Sequence, residues 1–363
     1  MIIDRNSPIP KYFQLQTWLI EQIEMGVFKA NDKIPTEQEF KNLTGLARAT
    51  IRQAVQNLVS MGYLLRKRRL GTFVIDQRRE KLQTNIGLMI PDIRMGNAPE
   101  LARGVEDEAA RTQHSLILCS TDDLYVKADF HANRLINSSI SGVIFVPTAA
   151  SDDKNYQIIE KFMRHNILVV LADRSLPQID IDYVTTDNFE GAYRQTEYLI
   201  KKGHTRIGIV ISTSFNTERL RLEGYKKALA DYNISVNGSI IITDSVPYNE
   251  ERYMHYVTDL LKQRDKMTAI FAGHDRIALL FYSAAKKMGI SIPDDISIVG
   301  YDDLPLMTIK LTTTHQPFYE MGQESMRLML RRIRGESGNP QQIVLKSYFV
   351  ERSSVLPYRN NSY

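Results

Sequence analysis

The sequence predicts an α/β protein in two parts: a small helical head closed by a β-hairpin, then a large two-lobed body on parallel sheets. Three observations predict it. Helical and then strand-like periodicity, with an excess of cations, fills residues 1–75. Apolar runs alternate with amphipathic helical stretches through most of the remainder, the mark of βαβ units around a buried parallel sheet. Between the two, "IDQRREKLQTN" is polar, charged and without apolar periodicity, so it reads as a linker. The expected boundaries are 1–75 for the head, 76–85 for the linker and 86–363 for the body.

A chain of 363 residues exceeds what one hydrophobic core usually organises, and 43% apolar with 24% charged residues is ordinary globular composition. The N-terminus "MIIDRNSPIP" lacks a positive segment followed by an apolar core, and no apolar run reaches the roughly 18 residues of a membrane span. A cytoplasmic protein with no membrane partner is expected. The single cysteine, Cys119, excludes an internal disulfide and a Cys-rich metal cage. His204, His274 and His315 are too scattered for a local metal motif, and no cofactor is expected. The net charge of +4 is unevenly spread: residues 1–80 hold 13 Lys/Arg against 8 Asp/Glu, while the rest holds 33 against 34. A polyanionic partner for the head follows.

Within the head, Tyr12, Leu15, Leu19, Ile20 and Ile23 recur at helical spacing before Gly26, Asn31 and Asp32 interrupt. Thr36 followed by Glu39 is a capping-box pattern that starts a second short helix, stopped by Gly45. In "LARATIRQAVQNLVSMGY", Ala47, Ile51, Ala54, Val55, Leu58 and Val59 form an apolar arc, with Arg52, Gln53, Gln56 and Asn57 opposite and Arg48 one turn before Arg52. After Gly62 come two short strands, "YLLRKRR" and "GTFVI", with the bend placed at Leu70-Gly71. Three helices and a basic hairpin describe a winged helix-turn-helix. Its third helix would enter the major groove of double-stranded operator DNA, and Arg66 to Arg69 would lie along phosphates or reach a minor groove.

The string "PIPKYFQLQTWLIEQIEMGVFKANDKIPTEQEF" followed by "ARATIRQAVQNLVSMGYLLRKRRLGTFV" closely resembles the DNA-binding domain of the GntR family of bacterial regulators. That resemblance implies Arg48 and Arg52 as groove and phosphate contacts, with Glu37, Thr50 and the wing around Arg68 and Gly71 beside them; Gln53 and Arg66 join them from the helix face and the hairpin. Two positions depart from the family: Ala47 stands where Ser is usual, so a cap or phosphate contact is missing, and Gln38 stands where many members carry Arg.

In the body, "IGLMIP", "SLILCS", "GVIFVP" and "LVVLAD" read as strands of one lobe, and "RIGIVIS", "SIIITD", "TAIFAGHD" and "ISIVGYDD" as strands of a second. Two α/β lobes bind small ligands at the strand ends. "TTDNFEGAYRQTEYLIKKGHTRIGIV", "RLRLEGYKKAL", "IPDDISIVGYDD", "LTTTHQPFYEMG" and "YFVERSSV" resemble the effector domain of the LacI/GalR repressors, which is similar to periplasmic sugar-binding proteins. The resemblance implies that Asp173, Arg221, His274, Asp302 and Gln316 line the cleft, and that effector domains pair as a homodimer. Taken alone, an Asp after a strand often only caps the next helix; that reading is kept for Asp275, and His204 is read as packing at the turn before a strand. The loop "PDIRMGNAPEL" supplies weaker candidates in Asp92, Asn97 and Glu100, and Tyr125 and Lys127 are weaker again.

Catalysis is not expected. The adjacent pairs Asp122-Asp123, Asp152-Asp153 and Asp302-Asp303 cannot face each other across a scissile bond, and no P-loop, Gly-x-Ser-x-Gly or His-Glu-x-x-His motif occurs. The basic head argues against a transport protein, and an aminotransferase-like body would need a longer chain. The expected function is a sugar-responsive repressor. A GntR-type head on a LacI-type body resembles a group of pentose-responsive repressors, which implies an arabinose-like effector first and a fucose-like 6-deoxyhexose next. Asp173 and Asp302 against Arg221 favour an uncharged ligand over a phosphate, and the matched positions hold no aromatic pair to sandwich a purine.

Overall fold

Thr36 and Glu39 exchange bonds at the start of the second helix: Thr36 N donates to Glu39 Oε2 at 2.6 Å and Glu39 N to Thr36 Oγ1 at 3.3 Å. This is the capping box read from the sequence. Helices α1 (Lys11–Glu24), α2 (Glu37–Thr44) and α3 (Arg48–Ser60) precede the antiparallel hairpin of β1 (Leu64–Lys67) and β2 (Gly71–Val74). Gly45 ends α2 in the left-handed region, with φ 68°. Ala47 precedes α3 without a side-chain cap. Leu15, Leu19, Phe40, Ile51, Ala54, Leu58 and Leu64 form the buried core of this unit. Gly71 pairs with Lys67 inside the hairpin, so the bend falls before Gly71 rather than on it. The hydrogen bond from Leu70 N to Lys67 O at 3.1 Å closes that turn.

The computed structural model describes residues 3, 5, 7–67, 70–75, 85–94, 96–246, 248–305 and 309–358, and the chain divides into two units, Met1–Thr84 and Asn85–Tyr363. The linker proposed for 76–85 and the wing cation Arg68 lie outside the described residues, apart from Asn85.

The second unit contains two parallel sheets. The first has strand order β4 (Ser115–Ser120), β3 (Asn85–Ile90), β5 (Gly142–Phe145), β6 (Leu168–Ala172), β7 (Asp182–Thr186) and β13 (Gln342–Leu345). Helices α4 (Ala98–Arg111) and α11 (Phe318–Ile333) cover one face; α5 (Tyr125–Asn137) and α6 (Asp152–Arg164) cover the other. The second sheet runs β9 (Ile241–Asp244), β8 (Ile207–Ser212), β10 (Ala269–Ala272) and β11 (Ser297–Val299). Its faces carry α7 (Asn188–Lys201) with α8 (Asn216–Asp231), and α9 (Glu250–Lys262) with α10 (Asp275–Met288). A short antiparallel pair, β12 (Thr313–His315) and β14 (Tyr348–Val350), completes it. The chain passes between lobes after Thr186, after His315 and after Leu345. Strand order reverses at β3 and at β8, and each reversal opens a crevice at the carboxyl ends of the strands.

Helices α4 and α11 meet backbone to backbone through glycine. A Cβ on Gly104 would lie 1.9 Å from Tyr319 O, and one on Gly322 2.2 Å from Leu101 O. Gly104→Ala is therefore expected to push the helices apart, and the overpacking, about 1–3 kcal/mol, exceeds the roughly 1 kcal/mol gained in helix propensity. A lowered urea midpoint checks this; an unchanged or raised midpoint contradicts it.

Candidate functional site

The residues at the strand ends converge on one cavity of about 220 Å³ between the lobes of the second unit. Asp92 follows β3, Val146 follows β5 and Asp173 follows β6; opposite them stand Ser212 at the end of β8, His274 after β10, Asp302 after β11 and Gln316 after β12. All five residues proposed from the sequence, Asp173, Arg221, His274, Asp302 and Gln316, are brought together here. Asp173 and Asp302 have φ of 63° and 114°, conformations that non-glycine residues adopt only when their surroundings hold them. Those surroundings are backbone bonds: Asp173 N donates to Val184 O at 2.9 Å and Asp302 N to Thr314 O at 2.8 Å.

Arg221 is 4% exposed and rigidly mounted. Nε donates to Asn188 Oδ1 at 2.8 Å, Nη1 to Gly273 O at 2.8 Å and Nη2 to Asp302 Oδ1 at 3.4 Å, while the guanidinium lies 3.8 Å from the centre of the Tyr301 ring. A guanidinium has five N–H donors; among the described residues three are taken, and the others are free to meet a ligand. Gln316 Nε2 donates to Asp302 Oδ1 at 2.7 Å and its Oε1 accepts from Thr186, so the amide is oriented from both ends.

Burial raises the Asp302 carboxyl to about 6, with Arg221 opposing the shift. Burial likewise raises Asp173. His274 is lowered to about 3, first by burial and then by Arg221, Arg276 and Arg174. At neutral pH its ring is uncharged and presents one donor and one acceptor.

Several cavity residues escaped the sequence reading. Arg174 lies 3.6 Å from the centre of the Phe215 ring, donates to Pro147 O at 2.7 Å and pairs with Asp123 at 2.5 Å. Arg276 lies over Tyr248, which meets His274 edge-on at 5.3 Å. Phe215, Tyr248 and Phe318 thus supply aromatic surface that the matched positions did not announce, since each comes from a loop or helix start outside the strand-end pattern. Of the weaker candidates, Asp92 and Asn97 line the cavity, whereas Glu100, Tyr125 and Lys127 do not; Tyr125 bonds Gln157, and Lys127 pairs with Asp122. The lobes are tied across the mouth by Asn216 Nδ2 to Ser175 Oγ at 3.2 Å and by Arg219 with Asp152 at 3.6 Å.

Two structural roles are sharper than expected. Asp275 is not the cap of α10; its carboxylate accepts from Leu304 N at 2.9 Å and Thr313 Oγ1 at 2.8 Å, which staples the loop after β11. His204 bridges Thr268 Oγ1 at 2.9 Å and Leu356 O at 3.0 Å, a buried brace rather than simple packing. Among the described residues no group of His, Cys, Asp and Glu could hold a metal ion, and no helix is long and apolar enough to cross a membrane.

On the head, Arg48, Arg52 and Gln53 are exposed on α3 and Thr50 is half-buried. Glu37 pairs with Arg52 at 3.1 Å and with Arg66 at 3.4 Å, tying α2, α3 and the hairpin together. The hydrogen bond from Arg52 and its charge hold the Glu37 carboxyl below the usual range. Arg48 donates to Gln38, so the position without the family's usual Arg positions a neighbouring cation instead. Gly71 leaves room for Lys33, whose Cε would lie 2.4 Å from an added Cβ.

A helix-turn-helix with a basic wing, in one chain with a two-lobed binding cavity, defines a ligand-controlled transcriptional regulator. Residues 11–74 match the family described as bacterial regulatory proteins, gntR family, and residues 196–355 match a periplasmic binding protein-like domain. The HTH-type transcriptional regulator DegA of Bacillus subtilis is 30% identical over 333 residues, covering 90% of this chain and 96% of that protein. The arabinose metabolism transcriptional repressor of Geobacillus stearothermophilus is 28% identical over 341 residues, covering 92% and 94%. The crystal structure of a LacI family transcriptional regulator from Enterococcus faecium with bound ribose has a TM-score of 0.66 and 29% identity, covering 76% of this chain and all of that one. The chain belongs to the LacI-type transcriptional repressors and carries a gntR-family DNA-binding head. Its relatives are regulators, not enzymes.

Proposed function

We propose that this repressor binds its operator as a homodimer and is released by a neutral monosaccharide, an arabinose-like pentose first and a fucose-like 6-deoxyhexose next. The observation that carries the reading is the rigid Arg221 fork, facing the carboxyl groups of Asp173 and Asp302 in a cavity with aromatic walls. Sugar hydroxyls are both donors and acceptors, and such a mixed set meets them in both roles. The charge balance supports a neutral ligand: five carboxyl groups (Asp92, Asp123, Asp173, Glu218, Asp302) face three arginines, of which Arg174 and Arg221 are already paired. The pentose preference rests on the likeness to the arabinose metabolism repressor and to the ribose-bound relative. Leu118 on β4, Leu124, and Val126 and Phe130 one turn apart on α5 are exposed apolar side chains of the first lobe, which supports pairing of two copies there. Ligand closure of the lobes would change the spacing of the paired heads, by as much as the ligand's differential affinity for the two states, typically about 1–3 kcal/mol.

Calorimetry with L-arabinose and L-fucose, with their phosphates and a free purine base as controls, is expected to show one site per subunit for a free sugar and no heat for its phosphate. The same sugar should release operator DNA in a gel-shift assay. Tight binding of a phosphate with no binding of the free sugars would overturn the proposal, and purine binding would redirect it to the aromatic walls.

A further inference from the structure

Glu218 lies in the first turn of α8, is 5% exposed and lines the cavity, yet its Oε2 has no hydrogen-bond partner among the described residues. Most buried polar atoms are partnered, because an unmatched acceptor forfeits its hydration without return. Asp302, on the same lobe, is already engaged by Gln316 and Arg221. Glu218 therefore holds a buried acceptor ready. Ser212 contributes a hydrogen bond to its carboxyl, which leaves Oε2 as the unmatched oxygen, and the Tyr253 hydroxyl on α9 lies close enough to feel its charge.

We propose, resting on the effector reading above, that Glu218 selects the ligand: its Oε2 accepts a hydrogen bond from one hydroxyl, and sugars lacking a donor there bind weakly. A site built to bond a hydroxyl rejects the analogue without it far more strongly than an apolar pocket rejects an extra group.

The selection carries a proton with it. Arg221, the Ser212 hydrogen bond and Arg174 favour the ionised carboxyl, Asp302 opposes it, and Asp173 and the uncharged ring of His274 share the cavity. Burial prevails and raises Glu218 to about 7. A hydroxyl donating to the carboxylate stabilises the ionised form, so binding below that pH expels a proton, and affinity rises with pH through about 7 and then levels. With only the ionised form competent, affinity at pH 8 is about tenfold that at pH 6. Asp302, raised to about 6, adds a contribution at the acid end that persists when Glu218 is replaced.

The test is calorimetry of the full chain with the tightest binder among L-arabinose, L-fucose and D-ribose, at pH 6 and 8 and in two buffers of different ionisation enthalpy. Proton release on the unaltered chain near pH 6.5 is expected, together with the tenfold gain at pH 8; Glu218→Gln should remove most of both. A sugar that binds the unaltered chain without proton release, or a Glu218→Gln protein with the full pH response, overturns the role of Glu218 and leaves the effector reading standing. Failure of all three sugars to bind overturns both.

Discussion

Arg221→Ala is expected to abolish the effector response while operator binding is retained. The guanidinium is held by Asn188, Gly273 and Asp302 and by the Tyr301 ring, so its free donors have a single direction in which to act. Losing one partner of a desolvated charged contact costs about 2–5 kcal/mol of ligand affinity, enough to put a micromolar site out of reach at ordinary concentrations. The substitution also strands Asp302, and breaking a buried pair costs about 3–5 kcal/mol unless the orphan takes up a proton. Here it can. The Asp302 carboxyl already sits at about 6 with Arg221 present and rises further without it. A carboxyl whose folded pKa exceeds its unfolded value is penalised as pH rises, so the stability deficit of the variant should be largest near pH 8 and shrink toward pH 6. Thermal unfolding at the two pH values reads that trend, and calorimetry reads the ligand loss. A folded Arg221→Ala protein that still binds sugar but has lost operator DNA would show the cavity assignment to be wrong.

The second large effect belongs to the head. Replacing both Arg48 and Arg52 by alanine should weaken operator binding by more than the roughly tenfold to hundredfold expected from one base contact. Both residues are exposed on the same side of α3, and Arg52 is oriented by Glu37. Exposed ion pairs of that kind are weak, so DNA can draw Arg52 away from Glu37. Arg66→Ala should act differently. Its place on the hairpin suits phosphate contact, so it should weaken all sequences alike and flatten the dependence of affinity on salt. Fluorescence anisotropy with specific and scrambled duplexes separates the two behaviours. A double Arg48/Arg52 variant with a native fold and unaltered operator affinity would remove the proposed groove contact.

Much of this architecture is local and could be read directly. The Thr36–Glu39 capping box, the apolar arc of Ile51, Ala54, Val55 and Leu58, and the strands ending in Asp173, His274 and Asp302 all announce themselves within a few residues. Their signals are periodicity, capping chemistry and a charged residue at the end of an apolar run, and each acts over one or two turns. What escaped is long-range. Strand β13 joins the first sheet beside β7, pairing Gln342 with Tyr183, and α11 returns to pack on α4 through Gly104 and Gly322. Arg332 reaches Asp182 with two bonds at 2.7 and 2.8 Å, although far separated in sequence. Neither partner carries a local sign of the other.

The candidate site divides along the same line. Sequence by itself determined the class of the two parts, the cationic face of the head and the polar residues at the strand ends, because burying a parallel sheet forces apolar runs and leaves their termini free to carry chemistry. Tertiary structure alone decided which of those termini share a cavity, that Arg174, Phe215, Tyr248 and Glu218 complete its wall, and that Asp275, itself outside the wall, staples the loop that brings Asp302 and Leu304 into it. The reason is that the chain passes between the lobes three times, after Thr186, His315 and Leu345, and closure of the lobes desolvates whatever those passages bring face to face. Burial, hydrogen-bond partners and the protonation of a carboxyl such as Glu218 are set by neighbours that meet only in the folded chain.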